Sequence, residues 1–274
     1  MPSDTYEKLA ARYDRMLSEN PAREAFFRDL FTKHGVKRVL DCACGTGRDL
    51  IAFAKMGFEV EGSDLSEAML ARTRLNLARA GLNVPVGRAD FRELDEHFEP
   101  QFDAVVCLRN SINELLDDSE VVKALRAMRT VLRPGGIVVI DQGQTDASMR
   151  EPPLCDVVVN EPDFTRVLVM EYNADIMTVH IVDRVHTEGK PALLTNMSCQ
   201  IGATRRNSPQ CEFPATSKEL DEGEFPVVRL KIRLREDWQR LFEEAGFSGV
   251  EFTGNWDGGA YDDRAKRLIV LAAV

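Results

Sequence analysis

An acid followed by a glycine-rich turn is the clearest candidate for chemistry in this sequence. Asp41 ends a short apolar strand, and the turn Gly45-Thr46-Gly47 follows just before a helical pattern that begins at residue 48. Glycine allows a turn to adopt unusual backbone angles and to pass close to a ligand. A strand, a glycine turn and a helix in this order are typical of the first unit of a nucleotide-binding α/β fold.

The charge of Asp41 distinguishes between two kinds of nucleotide ligand. A carboxylate so close to the turn would repel a pyrophosphate, whereas it would attract a ligand that carries an ammonium and a sulfonium. S-adenosylmethionine has both cations and no phosphate. Leu50 occupies the place of the third glycine of the dinucleotide fingerprint, which argues further against NAD. We therefore expect S-adenosylmethionine to contact Asp41, Ala43 and the turn glycines Gly45 and Gly47.

Two further acids follow the next predicted strands. Asp64 lies 23 residues after Asp41, at the position where such folds bind ribose hydroxyls. Asp90 stands beside Phe91, so that a carboxylate can accept from the adenine amino group while the ring covers the base. We include Leu65, directly after the second acid, among the cofactor contacts. Each of these has a structural alternative, because acids also cap helices and hold turns, and Phe91 can be a core aromatic.

These motifs, taken in order, resemble the class I S-adenosylmethionine-dependent methyltransferases. The run Leu132-Arg133-Pro134-Gly135-Gly136, placed before a strand, belongs to the same pattern. The resemblance covers about residues 36–142 and 236–274, and it implies a doubly wound, mostly parallel seven-stranded sheet. The segments 43–47 and 107–111 look most like those of glycine N-methyltransferases and their relatives.

The resemblance extends to residues around the reacting end of the cofactor. It implies that Leu108 contacts the cofactor near its sulfur, and that Asn110 and Ser111 touch the acceptor at the carboxyl end of the fourth strand. Tyr6 and Tyr13 are expected in an N-terminal lid over the site, and either Arg12 or Arg23 is expected to pair with the cofactor carboxylate. The alternatives are local turn formation for Asn110 and Ser111, packing for the tyrosines and solvation for the arginine.

One departure from the family pattern concerns the acceptor. In glycine N-methyltransferases the segment after the fifth strand supplies an Arg and a Tyr to the amino-acid substrate. Gly143 and Thr145 stand at what look like those places, so the usual bidentate carboxylate clamp is absent there. Glycine is therefore in doubt as the substrate, unless an Arg from the insertion substitutes for the missing one.

Strands alternate with helices as far as residue 142, after which the pattern becomes β-rich. We predict that residues 1–142 form N-terminal lid helices and a cofactor-binding α/β core. Residues 143–228 are predicted to form an inserted antiparallel β subdomain that helps to choose the acceptor. Residues 229–274 complete the core sheet. The polar stretch 202–226 is long enough to be a lid or disordered.

Composition excludes several kinds of partner. The net charge of −10 argues against nucleic acid, and no apolar run approaches the roughly 18 residues of a membrane span. The first residues lack the features of a signal peptide, and six scattered cysteines fit a reducing cytoplasm. The four histidines show no metal-ligand spacing with the cysteines. A homo-oligomer formed through the inserted sheet remains open.

The sequence thus predicts a methyltransferase that acts on a small molecule by direct in-line transfer. A neutral amine needs only to lose a proton before attack, whereas a hydroxyl needs a general base. No base stands out in the sequence, which favours nitrogen as the acceptor atom. The alternatives are an O-methyltransferase, an NAD-dependent oxidoreductase and a non-catalytic cofactor-binding module.

Overall fold

The computed structural model of this protein describes residues 3–17, 20–186 and 225–274. Strands alternate with helices as far as residue 142, and antiparallel strands follow. In chain order the strands within the described ranges are β1 Arg38–Asp41, β2 Glu59–Asp64, β3 Val86–Arg88, β4 Phe102–Cys107, β5 Leu132–Gln142, β6 Cys155–Glu161, β7 Phe164–Asn173, β8 Ile176–Val185, β9 Val227–Lys231, β10 Ser248–Thr253 and β11 Leu268–Ala273.

Capping residues in the sequence mark some of the helix ends. Asn20 accepts a hydrogen bond from the Arg23 amide at 3.0 Å, and Gly246 ends the last helix at φ +88°. The α-helices of the described residues are α1 Ser3–Leu9, α2 Pro21–Lys33, α3 Arg48–Lys55, α4 Glu67–Arg79, α5 Asp118–Thr130 and α6 Arg235–Glu244. Short 3₁₀ helices cover Ala10–Met16, Leu94–Glu96 and Ser111–Glu114.

The first sheet has seven strands in the order β10-β11-β5-β4-β1-β2-β3. The neighbouring strands of the series β5-β4-β1-β2-β3 are parallel, whereas β11 is antiparallel to both β5 and β10. This confirms the predicted doubly wound, mostly parallel sheet. Asp41 at the end of β1 lies in register with Gly62 of β2 and Val106 of β4. The carboxyl ends of the central strands therefore meet at one edge, where open α/β sheets bind ligands.

Two apolar layers hold this sheet between helices. Neighbouring residues of β4 point to opposite faces: Val105 joins the layer under α5 and α6, and Val106 joins the layer under α2 and α3. Trp238 of α6 and Phe27 of α2 are completely buried in these two layers. Burial of both faces explains why the central strands are continuous apolar runs rather than alternating ones.

The second sheet is four-stranded and antiparallel, in the order β6-β7-β8-β9. It follows β5 directly, which confirms an inserted β-rich unit after the fifth core strand. Its last strand ends at Lys231, three residues beyond the predicted boundary at 228, because β9 pairs with β8 rather than with the core. The sequence also predicts a β-rich run over 192–201, but this run and nearly all of the polar stretch 202–226 lie outside the described residues.

The N-terminal segment packs between the second sheet and α4. Leu9 and Ala10 join Met69 of α4 and the sheet residues Met170 and Met177 in one apolar cluster. The sequence predicts one helix over residues 4–17, but the structure has α1 and then a tighter 3₁₀ helix. At seven residues this 3₁₀ run is longer than most, and the packing of Leu9 and Ala10 against α4 and the second sheet compensates for its poorer hydrogen-bond geometry.

The cysteines near the glycine turn belong to the core. Cys42, Cys44 and Cys107 are buried and form no disulfide. Burial raises the pKa of the Cys42 and Cys44 thiols, so both behave as small apolar side chains. No helix in the part of the chain that the structure describes is long and apolar enough to cross a membrane.

Candidate functional site

The glycine turn opens a space at the carboxyl edge of the first sheet. Gly45 has φ +53°, and a Cβ placed on it would meet nothing within 4 Å. Gly47 has φ +80°, and a Cβ there would lie 2.6 Å from Cγ2 of Thr73. Gly47 therefore lets α3 pack against α4, whereas Gly45 leaves room for a ligand beside the turn. The space next to Gly45 is the feature that a bound cofactor would fill.

Asp41 and Asp64 flank this turn as predicted. Asp41 is only 2% exposed and accepts a long hydrogen bond of 3.3 Å from the Ala43 amide. Burial, and then the carboxylate of Asp49, raise the pKa of Asp41 well above its usual value. A buried carboxyl group with a raised pKa favours a cationic ligand, because a nearby positive charge stabilises its ionised form.

The two oxygens of Asp64 hold the turn and the start of α4. Oδ2 accepts from the Gly45 amide at 2.8 Å, and Oδ1 accepts from the Ser66 amide at 2.9 Å. The helix cap is Ser66, whose hydroxyl accepts from the Met69 amide at 3.3 Å. Asp64 is therefore a turn acceptor and not the cap. Each carboxylate oxygen keeps a second lone pair, so a role in ribose binding stays compatible with these bonds.

Asp90 has a partner that the sequence analysis did not anticipate. The guanidinium of Arg92 binds both carboxylate oxygens, at 3.0 and 3.1 Å from its Nε. Burial opposes ionisation of Asp90, but the Arg92 hydrogen bonds outweigh it and lower the pKa. Phe91 packs partly against the core, and Leu65 is 43% exposed. Adenine contacts from these residues stay a prediction.

The loop after β4 is tightly turned, with φ +61° at Arg109 and +67° at Asn110. The Asn110 side-chain oxygen accepts from the Gly143 amide at 3.0 Å, and the Ser111 hydroxyl donates to the Leu108 carbonyl at 2.9 Å. Both side chains thus stabilise the loop, which agrees with the alternative of local turn formation. Contact of Asn110 and Ser111 with the acceptor, and of the buried Leu108 with the cofactor, remains a prediction.

A buried charge network lies on the side of the turn that faces α2. Arg23 is 8% exposed, so the alternative of a solvated arginine is wrong. Its Nη2 donates to Oδ2 of Asp49 at 3.0 Å, and Nε of Arg109 reaches the same oxygen at 3.3 Å. Burial opposes ionisation of Asp49, but the two cations outweigh it and lower the pKa. The predicted pairing of Arg23 with the cofactor carboxylate is not tested by this arrangement.

Two tyrosines and one acid form a polar cluster where the N-terminal segment crosses the carboxyl edge. The Tyr6 hydroxyl of α1 donates to Oε1 of Glu114. Burial raises the pKa of Glu114 to about 7, with the Asp64 carboxylate adding to the rise and the Tyr6 hydrogen bond opposing it. Burial also raises the pKa of Tyr13 to about 12, against the effect of Arg109. The predicted lid tyrosine therefore lies beside both the loop cation and the buried acid.

Glu114, Asp49 and Arg92 are site residues that the sequence analysis missed. Arg92 follows Asp90 by two residues, and that spacing was the available signal. No signal in the sequence pointed to Glu114, because its partner Tyr6 is 108 residues away in sequence. In the structure Glu114 is a half-buried carboxyl, and burial raises its pKa to about 7.

Comparison with known proteins agrees with this geometry. Residues 39–136 match the family model of a methyltransferase domain. The chain is 36% identical over 143 residues to the glycine/sarcosine N-methyltransferase of Parasynechococcus marenigrum, which covers 51% of each chain. It is 37% identical over 134 residues to glycine N-methyltransferase of Mus musculus, covering 45% of this chain and 46% of that one. The chain thus matches about half the length of these curated relatives.

Solved structures extend the likeness over the whole fold. The CcbJ methyltransferase of Streptomyces caelestis superposes with a TM-score of 0.72 at 21% identity, covering 99% of this chain and 98% of that one. CalS10, an amino pentose methyltransferase from Micromonospora echinaspora solved with S-adenosylmethionine, superposes with a TM-score of 0.65 at 23% identity, covering 96% and 94%. At these identities the likeness concerns the fold.

The fold, the turn with its two acids and the matched domain define one class of protein. Residues 39–136 match a methyltransferase domain, and the chain has the fold of S-adenosylmethionine-dependent methyltransferases. Within that class its sequence is similar to the glycine N-methyltransferase group, as the motifs at 43–47 and 107–111 indicate. The alternative of an NAD-dependent oxidoreductase is thereby set aside.

Proposed function

We propose that this protein transfers the methyl group of S-adenosylmethionine to an amine nitrogen of a small molecule. The observation that carries the proposal is the open space beside Gly45, bordered by two acids whose pKa values are raised by burial. Such a site favours a cationic ligand without phosphate. When bound, S-adenosylmethionine supplies a methyl group that its own sulfonium already activates.

The protein's task is then to position the acceptor and to exclude water. Tyr6 and Tyr13 cross the carboxyl edge from the N-terminal segment, and both pack against the apolar cluster beneath the second sheet. This places the inserted sheet beside the edge where the acceptor must approach. The N-terminal segment and the inserted sheet together are therefore our proposed acceptor-binding wall.

The segment after β5 lacks the carboxylate clamp that the family resemblance implies for a glycine substrate. The Gly143 amide donates to the Asn110 side-chain oxygen, and the Thr145 hydroxyl donates to the Ala265 carbonyl at 2.9 Å. Neither residue supplies a carboxylate clamp. Arg166 of β7 is a cation from the insertion near Tyr13, and its Nη1 has no hydrogen-bond partner among the described residues. Nε and Nη2 of the buried Arg166 already bind Asp183, so Nη1 is the donor that we propose for an acceptor carboxylate.

The proposal is tested by label transfer from methyl-tritiated S-adenosylmethionine to a panel of small amines. The panel contains glycine, sarcosine, serine and an amino pentose, each beside a hydroxyl analogue that lacks the amine. We expect label in at least one amine and in none of the analogues. Label only in hydroxyl compounds would replace the proposal with O-methylation, and label in nothing would support a non-catalytic module.

Cofactor binding can be tested without any acceptor. Adenosylhomocysteine should raise the melting temperature, because a ligand that binds only the folded state stabilises it, and NAD should not. Replacement of Asp64 by alanine should weaken adenosylhomocysteine binding by about 1–3 kcal/mol, since ribose hydroxyls would lose a charged acceptor.

The matched control for that substitution is Asp117→Ala. Asp117 accepts from the Ser119 amide at 2.8 Å in the same kind of local turn, but it is exposed at the start of α5. Calorimetry should show unchanged affinity for this variant. Equal affinity of the Asp64 and Asp117 variants would exclude Asp64 from the cofactor site.

A further inference from the structure

Glu114 is a half-buried acid at the edge where we propose that methyl transfer occurs, and neither cofactor binding nor the fold accounts for it. It ends the short 3₁₀ helix Ser111–Glu114, which follows the β4 loop directly. Solvent still reaches part of the side chain, so it is not sealed in the core. One oxygen accepts from the Tyr6 hydroxyl, and no cation is paired with the carboxylate within the described residues.

The charged and titratable groups around Glu114 come from several elements. Tyr6 lies on α1 and Tyr13 on the following 3₁₀ helix, while Asp64 ends β2. Arg109 lies on the β4 loop and is engaged by Asp49. Lys231 of the neighbouring strand β9 is engaged by the carboxylates of Asp118 and Asp175. These cations thus have other partners, and among the described residues one oxygen of Glu114 is left for a cation that comes from outside.

We propose that Glu114 binds the ammonium group of the acceptor and takes the proton that this group loses before methyl transfer. Tyr6 acts as a positioning residue that orients the carboxylate. This inference rests on the proposed function, and it narrows the substrate class to small molecules that arrive as protonated amines.

The step balances as a proton transfer followed by methyl transfer. An N–H bond of the ammonium breaks and an O–H bond forms on the Glu114 carboxylate. The nitrogen lone pair released in this way then forms the new N–C bond, and the electrons of the breaking C–S bond pass to sulfur. The products are the methylated ammonium, neutral adenosylhomocysteine sulfur and protonated Glu114, whose proton returns to solvent.

The equilibrium of proton transfer to Glu114 favours an amine over a hydroxyl as the acceptor. The pKa of Glu114 is about 7, and an alkylammonium has a pKa near 10.4, so transfer is uphill by a factor of about 10³. A hydroxyl with a pKa near that of water, about 15.7, would be uphill by a factor of about 10⁹. A carboxylate at this position is therefore suited to an ammonium and poorly suited to an alcohol.

The first test replaces Glu114 by glutamine in the full chain. With an amine that wild type methylates, kcat/KM should fall about 100-fold or more, which is the usual contribution of a general base. Adenosylhomocysteine affinity and melting temperature should stay close to wild type. Glu243→Gln, an exposed acid on α6, is the matched control and should keep full activity.

The second test uses the pH profile. For wild type, kcat/KM should rise as pH increases through about 7, because Glu114 must be ionised to accept a proton. The Tyr6 hydrogen bond lowers the pKa of Glu114, so Tyr6→Phe should move this acidic limb to higher pH with the same acceptor. Ser119→Ala removes a hydroxyl that donates instead to the exposed Asp117 carboxylate at 2.9 Å, and it should leave the limb unmoved.

The outcomes separate this inference from the proposed function. An active wild type whose Glu114→Gln variant retains full kcat/KM would overturn the role of Glu114 while leaving amine methylation intact. A folded Glu114→Gln variant with an unchanged acidic limb would overturn it as well. A wild type that methylates no amine of the panel while binding adenosylhomocysteine would overturn the proposed function, and this inference with it.

Discussion

Replacement of Gly45 by valine should abolish cofactor binding and leave a folded protein. The Cβ of residue 45 would project into the open space beside the turn, where the cofactor is proposed to lie. The φ of +53° also makes a β-branched residue unfavourable, at about 1–2 kcal/mol for a left-handed conformation. We expect adenosylhomocysteine affinity to fall beyond detection by calorimetry, with circular dichroism like that of wild type.

Gly81 provides the matched control for this substitution. It has φ +67° and no atom within 4 Å of a Cβ, so Gly81→Val carries the same backbone strain away from the turn. Both variants should lose similar stability, and only the Gly45 variant should lose binding. If Gly45→Val bound adenosylhomocysteine as tightly as Gly81→Val, the cofactor would not occupy the space beside Gly45.

Replacement of Asp49 by alanine should produce the largest loss of stability among the site residues. Arg23 and Arg109 both direct their guanidinium groups at this carboxylate, and the Arg23 and Asp49 side chains are less than a tenth exposed. Removal of one partner of a buried pair leaves an uncompensated charge, which costs about 3–5 kcal/mol. Urea denaturation should show that loss in the free energy of unfolding.

An exposed ion pair is the control for this second prediction. Glu67 and Arg74 pair on α4, with side chains 62% and 49% exposed. Glu67→Ala should change the free energy of unfolding by about 1 kcal/mol or less, because solvent screens such pairs. An Asp49→Ala variant as stable as Glu67→Ala would show that the network around Arg23 contributes little to the fold.

The glycine turn and the positions of the acids around it were predictable because their signals are local. The turn, the acid before it and the acid after the next strand lie within one βαβ unit, and each type of residue has a direct physical role there. The sequence also predicts a strand over 268–273, which agrees with β11, because its apolar run follows Lys266 and Arg267 directly. Short-range pattern was sufficient at these positions.

Features that depend on distant contacts were not predictable. Strand β5 begins at Leu132 rather than at 136, because Gly135 and Gly136 bond to the backbone of Val274 at the end of β11. Glu114 stands in a run that looks like a turn, and only the fold brings Tyr6 to it. A local sequence pattern predicts neither the bonds to Val274 nor the contact between Glu114 and Tyr6.

The position of the transferred methyl group in the product tests the central claim most directly. Wild-type protein is supplied with S-adenosylmethionine carrying a trideuterated methyl group and with serine or an amino pentose, each of which has an amine and hydroxyls in one molecule. Nuclear magnetic resonance of the product should place the label on nitrogen. A label on oxygen, or no label in a protein that binds adenosylhomocysteine, would contradict the account.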